Sequence, residues 1–129
     1  MKHAVLIAED DPTIGEMMDI ILTQAGFEVS LVNNGEAAID LLKRSRFSLV
    51  LLDVHMPRID GLDVLKAMGR MAWFPPVLIV SANRLSETIR QAAALGCSGY
   101  LAKPFTPDGL LQRVRMVMAG RKRANVLHL

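Results

Sequence analysis

Four places in the chain set a polar, chemically able side chain directly behind an apolar run: Glu9-Asp10-Asp11 follows Ala4–Ala8, Asp53 follows Leu49–Leu52, Ser81 follows residues 77–80, and Lys103-Pro104 follows Gly99–Ala102. Burying an unpaired charge is costly, so a carboxylate delivered to a fixed point by a buried strand is expected to do work there. Carboxylates gathered at one point repel and hold protons more tightly unless a cation joins them. A hard divalent cation resolves the conflict, and magnesium, with manganese as an alternative, prefers one or two protein carboxylates and keeps several waters. Asp10 and Asp53 are candidates to supply those carboxylates, Glu9 to act directly or through water, and the His55 backbone carbonyl to add a neutral ligand. A carboxylate so held is a competent nucleophile toward phosphorus and would form an acyl phosphate. The phosphoryl oxygens would then need donors, and Lys103 offers a mobile ammonium and Ser81 a hydroxyl.

Short apolar runs alternating with stretches of helical period must position these groups. That alternation predicts a parallel sheet with crossover helices. The strands are expected at Ala4–Ala8, Glu28–Val32, Leu49–Leu52, residues 77–80 and Gly99–Ala102, three of them nearly all apolar, as strands covered on both faces should be. Ile14, Met17, Met18, Ile21, Leu22 and Ala25 form one stripe of a first helix, with Pro12 in its first turn and Gly26 at its end. Ala38, Leu41 and Leu42 mark a second helix capped by Asn34. Val64, Leu65 and Met68 mark a third beginning near Asp60-Gly61. Ile89, Ala92, Ala93 and Gly96 mark a fourth, and Leu110, Leu111, Val114, Val117 and Met118 a fifth. In a doubly wound sheet of order 2-1-3-4-5 all strands point the same way and ligands bind beyond their C-terminal ends. Strands one, three, four and five then bring acid, acid, hydroxyl and ammonium to one rim.

At 129 residues and about half apolar composition the chain suits one domain with a hydrophobic core. No apolar run is long enough to span a membrane, and the acidic residues at 9–11 arrive too early for a signal peptide, so a cytoplasmic location is expected. Cys97 is the only cysteine, which excludes an intrachain disulfide and a cysteine zinc site and leaves a buried spectator thiol. The eight methionines fall mostly on the helical stripes and read as core filler. The net charge of +2 is uneven: residues 1–102 carry nine Lys and Arg against twelve Asp and Glu, and residues 103–129 six against one. Without interleaved aromatics, Arg113, Arg115 and Arg121-Lys122-Arg123 read as a solvated helix face and a tail rather than a nucleic-acid site. His3, His128 and Trp73 join no constellation.

The segments Ile7-Ala8-Glu9-Asp10-Asp11-Pro12, Leu51-Leu52-Asp53-Val54-His55-Met56-Pro57 with Asp60-Gly61, Ser81-Ala82, and Gly99-Tyr100-Leu101-Ala102-Lys103-Pro104-Phe105 together resemble the receiver domain of two-component response regulators. Each segment is common alone; the four in order, each at a strand end, are not. The resemblance implies a flavodoxin-like α/β fold over residues 1–120; after Gly120 the periodicity stops, and 121–129 are expected to be a basic C-terminal tail or the start of a linker. It further implies that Asp53 is the phosphorylated aspartate and that Glu9 and Asp10 hold magnesium. Ser81 corresponds to the hydroxyl residue that bonds the phosphoryl group and shifts toward it, and Lys103 to the lysine that pairs with it. Lys103-Pro104 is a candidate cis peptide, and Tyr100 the aromatic whose rotamer follows phosphorylation. Asp11 matches a position that is commonly acidic but less directly involved. The first acidic residue is Glu9 where the family more often has Asp. His55 and Asn83 occupy positions at which the family tunes phosphoryl lifetime.

The implied function is a switch: Asp53 takes a phosphoryl group from a sensor histidine kinase or a histidine phosphotransfer protein, and binding to a downstream effector or fused output domain changes. The resemblance puts that output face around the fourth helix, last strand and fifth helix, with Arg84, Arg90, Tyr100, Arg113 and Arg115, and leaves room for a dimer that forms on phosphorylation. No membrane or direct nucleic-acid contact by this domain is expected. Apart from its own phosphorylation and slow dephosphorylation no enzymatic activity is expected, because an aspartate-nucleophile phosphohydrolase would want a second aspartate where His55 stands. The other alternative is a protein-binding module that keeps the fold without using phosphate, against which the set Asp10, Asp53, Ser81 and Lys103 argues.

Overall fold

A computed structural model describes residues 2–127, with side chains through Gly120. Five strands alternate with five helices: β1 Ala4–Ala8, α1 Pro12–Gln24, β2 Glu28–Val32, α2 Gly35–Arg44, β3 Leu49–Leu52, α3 Gly61–Met68, β4 Val77–Ser81, α4 Ser86–Ala94, β5 Gly99–Ala102 and α5 Pro107–Leu127. The strands form one parallel sheet in the order β2-β1-β3-β4-β5. The expected order and strand positions are therefore observed, with β4 extended by one residue so that Ser81 ends the strand instead of following it.

Period-two alternation splits the apolar strand residues between two cores. Leu6, Ala8, Val50, Leu52 and Ile79 face one side, under Ala38 and Leu42 of α2, Val64, Leu65 and Met68 of α3, and Ala92 of α4. Val5, Ile7, Leu49, Leu51, Leu78 and Val80 face the other, under Met18 and Leu22 of α1 and Leu110, Val114 and Val117 of α5. Central β3 and β4 are buried at every position, whereas edge strand β2 is half exposed. Each fully buried Leu or Ile contributes about 1.5–3 kcal/mol relative to an exposed one, so the strands that carry the site are anchored from both faces.

The starts of α1, α2 and α3 are set by side-chain caps. Asp11 accepts from the Thr13 and Ile14 amides at 2.9 and 3.3 Å, with Pro12 in the first turn; Asn34 accepts from Ala37 at 2.7 Å; Asp60 and Asp63 form a reciprocal capping box. Gly26, at φ 97°, provides the left-handed turn after α1.

Three expectations change. α5 does not stop at Gly120 but runs to Leu127, so most of the expected basic tail continues the helix, while residues 128 and 129, with His128, lie outside the described residues. α4 is only lightly covered: Ala92 alone is buried, and Ile89 is exposed along with Leu85 before the helix. Of the methionines read as core filler, Met18, Met56 and Met68 are buried, but Met17 and Met116 face solvent. Cys97 is partly buried and free, and burial pushes its thiol pKa up.

Candidate functional site

The sheet ladder continues one step past β1, β3 and β5 and so fixes the backbone of Glu9, Asp53 and Lys103. The Glu9 amide donates to the Val32 carbonyl at 3.1 Å, the Asp53 amide to Ala8 at 3.0 Å, and the Lys103 amide to Ser81 at 3.0 Å. The strand pairs Ala8 with Leu52 and Ser81 with Ala102 bring residues separated by tens of positions to one edge. Gly61 supports this edge from behind. A Cβ there would lie 2.3 Å from the Asp53 carbonyl oxygen and 2.9 Å from Val54 Cα, and its amide donates to the Val54 carbonyl at 2.9 Å. Only glycine lets α3 start this close to the residue that carries the site.

At the rim Lys103 Nζ stands 2.5 Å from Glu9 Oε1 and 3.1 Å from Asp53 Oδ2. The three side chains are 13%, 0% and 6% exposed, so this is a buried cluster and the ammonium is held rather than mobile as expected. Glu9 Oε2 accepts from the Asp11 amide at 3.2 Å. Glu9 Oε1 is buried and meets the ammonium as an ion pair. Carboxylate oxygens of Glu9, Asp10 and Asp53 lie within 4.8 Å of one another, with Asp10 exposed at the mouth. Three carboxylates thus face one ammonium, an imbalance that a divalent cation would correct. The chemistry of this donor set fits such an ion.

The pKa shifts follow from the crowding. Burial, and then the neighbouring Asp53 carboxyl, raise Glu9 from 4.5 to about 7 despite the opposing Lys103. For Lys103 burial acts downward, but its contacts with Glu9 and Asp53 outweigh it and the net shift is upward.

Ser81 is fully buried and its Oγ accepts from the Asn83 amide at 3.1 Å. His55 is exposed; its amide donates to Asp53 Oδ1 at 3.2 Å, and its ring Nε2 lies 3.2 Å from Asn83 Nδ2, a hydrogen bond when Nε2 is unprotonated. The half-buried Tyr100 donates its hydroxyl to the Asn83 carbonyl at 2.5 Å, and burial pushes the phenol pKa up. Lys103-Pro104 is cis, as expected.

Asn83 is the residue whose role sequence reasoning understated. Its backbone and side chain contact Ser81, His55, Tyr100 and, through Oδ1, the Leu85 amide. Its position two residues after Ser81 was visible, but contacts across 28 and 17 residues appear only once the strands are adjacent. Asp11 acts as the α1 cap, which accounts for an acidic residue there. Arg113, expected on a solvated face, is half buried and donates to the Tyr100 carbonyl of edge strand β5 at 2.5 Å, while Arg84 donates to the Lys103 carbonyl just past that strand at 3.0 Å. Among the described residues no helix is long and apolar enough to cross a membrane.

The chain is similar to known proteins in sequence and in fold. The chain is 30% identical over 115 residues to the DNA-binding response regulator MtrA of Mycolicibacterium smegmatis, a match covering 89% of this chain and 50% of that protein. It is 31% identical over 117 residues to the probable transcriptional regulator ycf27 of Porphyra purpurea, covering 91% and 48%. The chain spans about half the length of the curated relatives it matches. Among solved structures, the chemotaxis response regulator CheY4 of Vibrio cholerae superposes with a TM-score of 0.86 at 30% identity, covering 91% of this chain and 99% of that one. The family model described as the response regulator receiver domain matches residues 5–115. Sequence match, strand order and rim geometry agree, and the chain belongs to the receiver domains of two-component response regulators.

Proposed function

We propose that the domain is a phosphorylation switch in which Asp53 is the acceptor. An Asp53 carboxylate oxygen attacks the phosphorus of a phosphohistidine donor, the P–N bond breaks, and the donor's imidazole leaves with the electron pair. The observation that carries this reading is the Lys103 ammonium 3.1 Å from Asp53 Oδ2, inside a buried cluster with more carboxylate than cation. Magnesium held by Glu9, Asp10, Asp53 and the His55 carbonyl would supply charge neutralisation for the carboxylates and the incoming phosphoryl oxygens. The chain's own residues do the positioning. Ladder bonds hold Asp53 on the rim, Lys103 gives a charged donor to one phosphoryl oxygen, and the Ser81 hydroxyl gives a neutral donor to another.

The readout follows from Asn83. Ser81 turning its hydroxyl toward a phosphoryl oxygen disturbs the bond it accepts from the Asn83 amide, and the Asn83 carbonyl holds Tyr100. A ligand shifts an equilibrium only by contacting its states differently, and the phosphoryl group does so through Ser81 and Lys103. The changed surface comprises α4, β5 and α5, read by an effector or a fused output domain. The donor is a sensor histidine kinase or a histidine phosphotransfer protein. Turnover of external substrates is not part of this function; water releases phosphate from Asp53 slowly. The test is incubation with magnesium and acetyl phosphate followed by intact-mass measurement. A gain of one phosphoryl group that disappears in Asp53→Ala supports the switch, whereas no gain from either acetyl phosphate or a phosphohistidine donor would favour a phosphate-independent binding module.

A further inference from the structure

The opposite end of the sheet carries a feature that phosphoryl transfer does not use. The connections α2 to β3 and α3 to β4 both arrive at strand starts, far along the sheet from Asp53, and between them they form an open cleft of about 280 Å³. Its walls are Leu42, Lys43, Arg44, Ser45, Arg46 and Trp73, with three cations and no acid. Arg44 pairs with Asp40 on its own helix, but among the described residues Lys43 and Arg46 have no ion-pair partner. The Arg46 guanidinium instead lies 5.8 Å from the centroid of the Trp73 ring.

Complementing the C-terminal dipole of α2 explains cations in its last turn, Lys43 and Arg44. It does not explain Arg46, one residue beyond the C-cap Ser45, stacked on an aromatic contributed by another connection. Stacking restrains a flexible side chain and leaves the guanidinium edge, a planar fork matched to carboxylate geometry, free to bind. The covered ring face is correspondingly poor as a platform for stacking a base. A short acidic segment feels chiefly the cleft, because charges beyond about 8–10 Å are screened at physiological salt.

We propose that this cleft is a docking site for an acidic peptide segment of a partner protein, with Lys43 and the Trp73-stacked Arg46 as its principal contacts. It is separate from the rim, so docking does not compete with phosphorylation of Asp53.

Trp73 is the only tryptophan of the chain, and its fluorescence reports on the cleft directly. Octaglutamate is titrated into the full chain while Trp73 emission is followed, with calorimetry in parallel and an eight-nucleotide oligothymidine as the second probe. Saturable binding is expected, stronger for octaglutamate than for the oligonucleotide and weakening with salt. It should fall by roughly tenfold or more in Lys43→Glu/Arg46→Glu, since like charges replace attraction. Arg46→Lys, which keeps the charge but loses the planar fork and the stacking, should bind more weakly than the parent and more tightly than the charge-reversed variant. No binding by either method, equal binding by a folded charge-reversed variant, or tighter binding of the oligonucleotide would each overturn the proposal, the last in favour of a nucleic-acid surface.

Discussion

Lys103 and Asp53 meet at 3.1 Å although fifty residues separate them, and the same ammonium holds Glu9 at 2.5 Å. Removing it strands two buried carboxylates. Loss of one partner of a buried pair costs roughly 3–5 kcal/mol where no relief exists. Here the slight exposure of Lys103 and the readiness of Glu9 to take a proton reduce that cost. Lys103→Ala is expected to lower stability by about 2 kcal/mol at pH 7 without magnesium, read from the urea midpoint, with part of the loss recovered when magnesium is added. Acetyl phosphate labelling should slow in the same variant under both conditions.

Glu9 sets a pH dependence of definite sign. Its pKa in the folded protein, about 7, lies above the ordinary 4.5. The folded state therefore binds the proton more tightly, and the resulting contribution is complete below about pH 4.5 and lost as pH rises through 7. Metal-free protein should lose thermal stability between about pH 5 and pH 8 from this group, and Glu9→Gln should flatten that portion of the profile. An unchanged or steeper profile in Glu9→Gln would show that another group is responsible.

Gly61→Ala tests the support behind Asp53. The new Cβ would meet the Asp53 carbonyl oxygen at 2.3 Å, backbone that cannot simply rotate away. A displacement of about 1 Å at a reacting group can cost on the order of a hundredfold in rate. Labelling of Gly61→Ala should accordingly fall by at least about tenfold, with a moderate loss of stability. Gly120→Ala, where a Cβ meets nothing within 4 Å, should label normally.

Tyr100→Phe removes the hydroxyl that binds the Asn83 carbonyl and nothing at the acceptor itself. Labelling of Asp53 should remain within about twofold of the parent, while amide hydrogen exchange across residues 82–85 should accelerate, because a loop held by fewer bonds opens more readily. Unchanged exchange there would separate Tyr100 from the loop.

These contacts show what one-dimensional pattern can and cannot carry. β3 was legible because all of Leu49–Leu52 is apolar, and a charge directly after such a strand marks its own position at the sheet rim. The cap at Asn34 was legible because capping is a local hydrogen bond, and the start of α3 near Asp60 was legible from the helical stripe behind it. The sparse cover over α4 was not: Ile89, Ala92 and Ala93 give a helical stripe whether or not another element lies against it, and only Ala92 turns out to be buried. The His55–Asn83 and Arg46–Trp73 contacts were hidden for a different reason, since each joins two connections that touch only after the sheet has brought them side by side.

The central claim is that Asp53, and neither Asp10 nor Glu9 beside it, takes the phosphoryl group. Borohydride reduces an acyl phosphate to the alcohol, so labelling with acetyl phosphate and magnesium, then reduction and peptide mapping by mass spectrometry, reads the acceptor directly. Homoserine at position 53 alone is the expected result; reduction at position 9 or 10, or a phosphoryl mass gain that persists in Asp53→Ala, would contradict it.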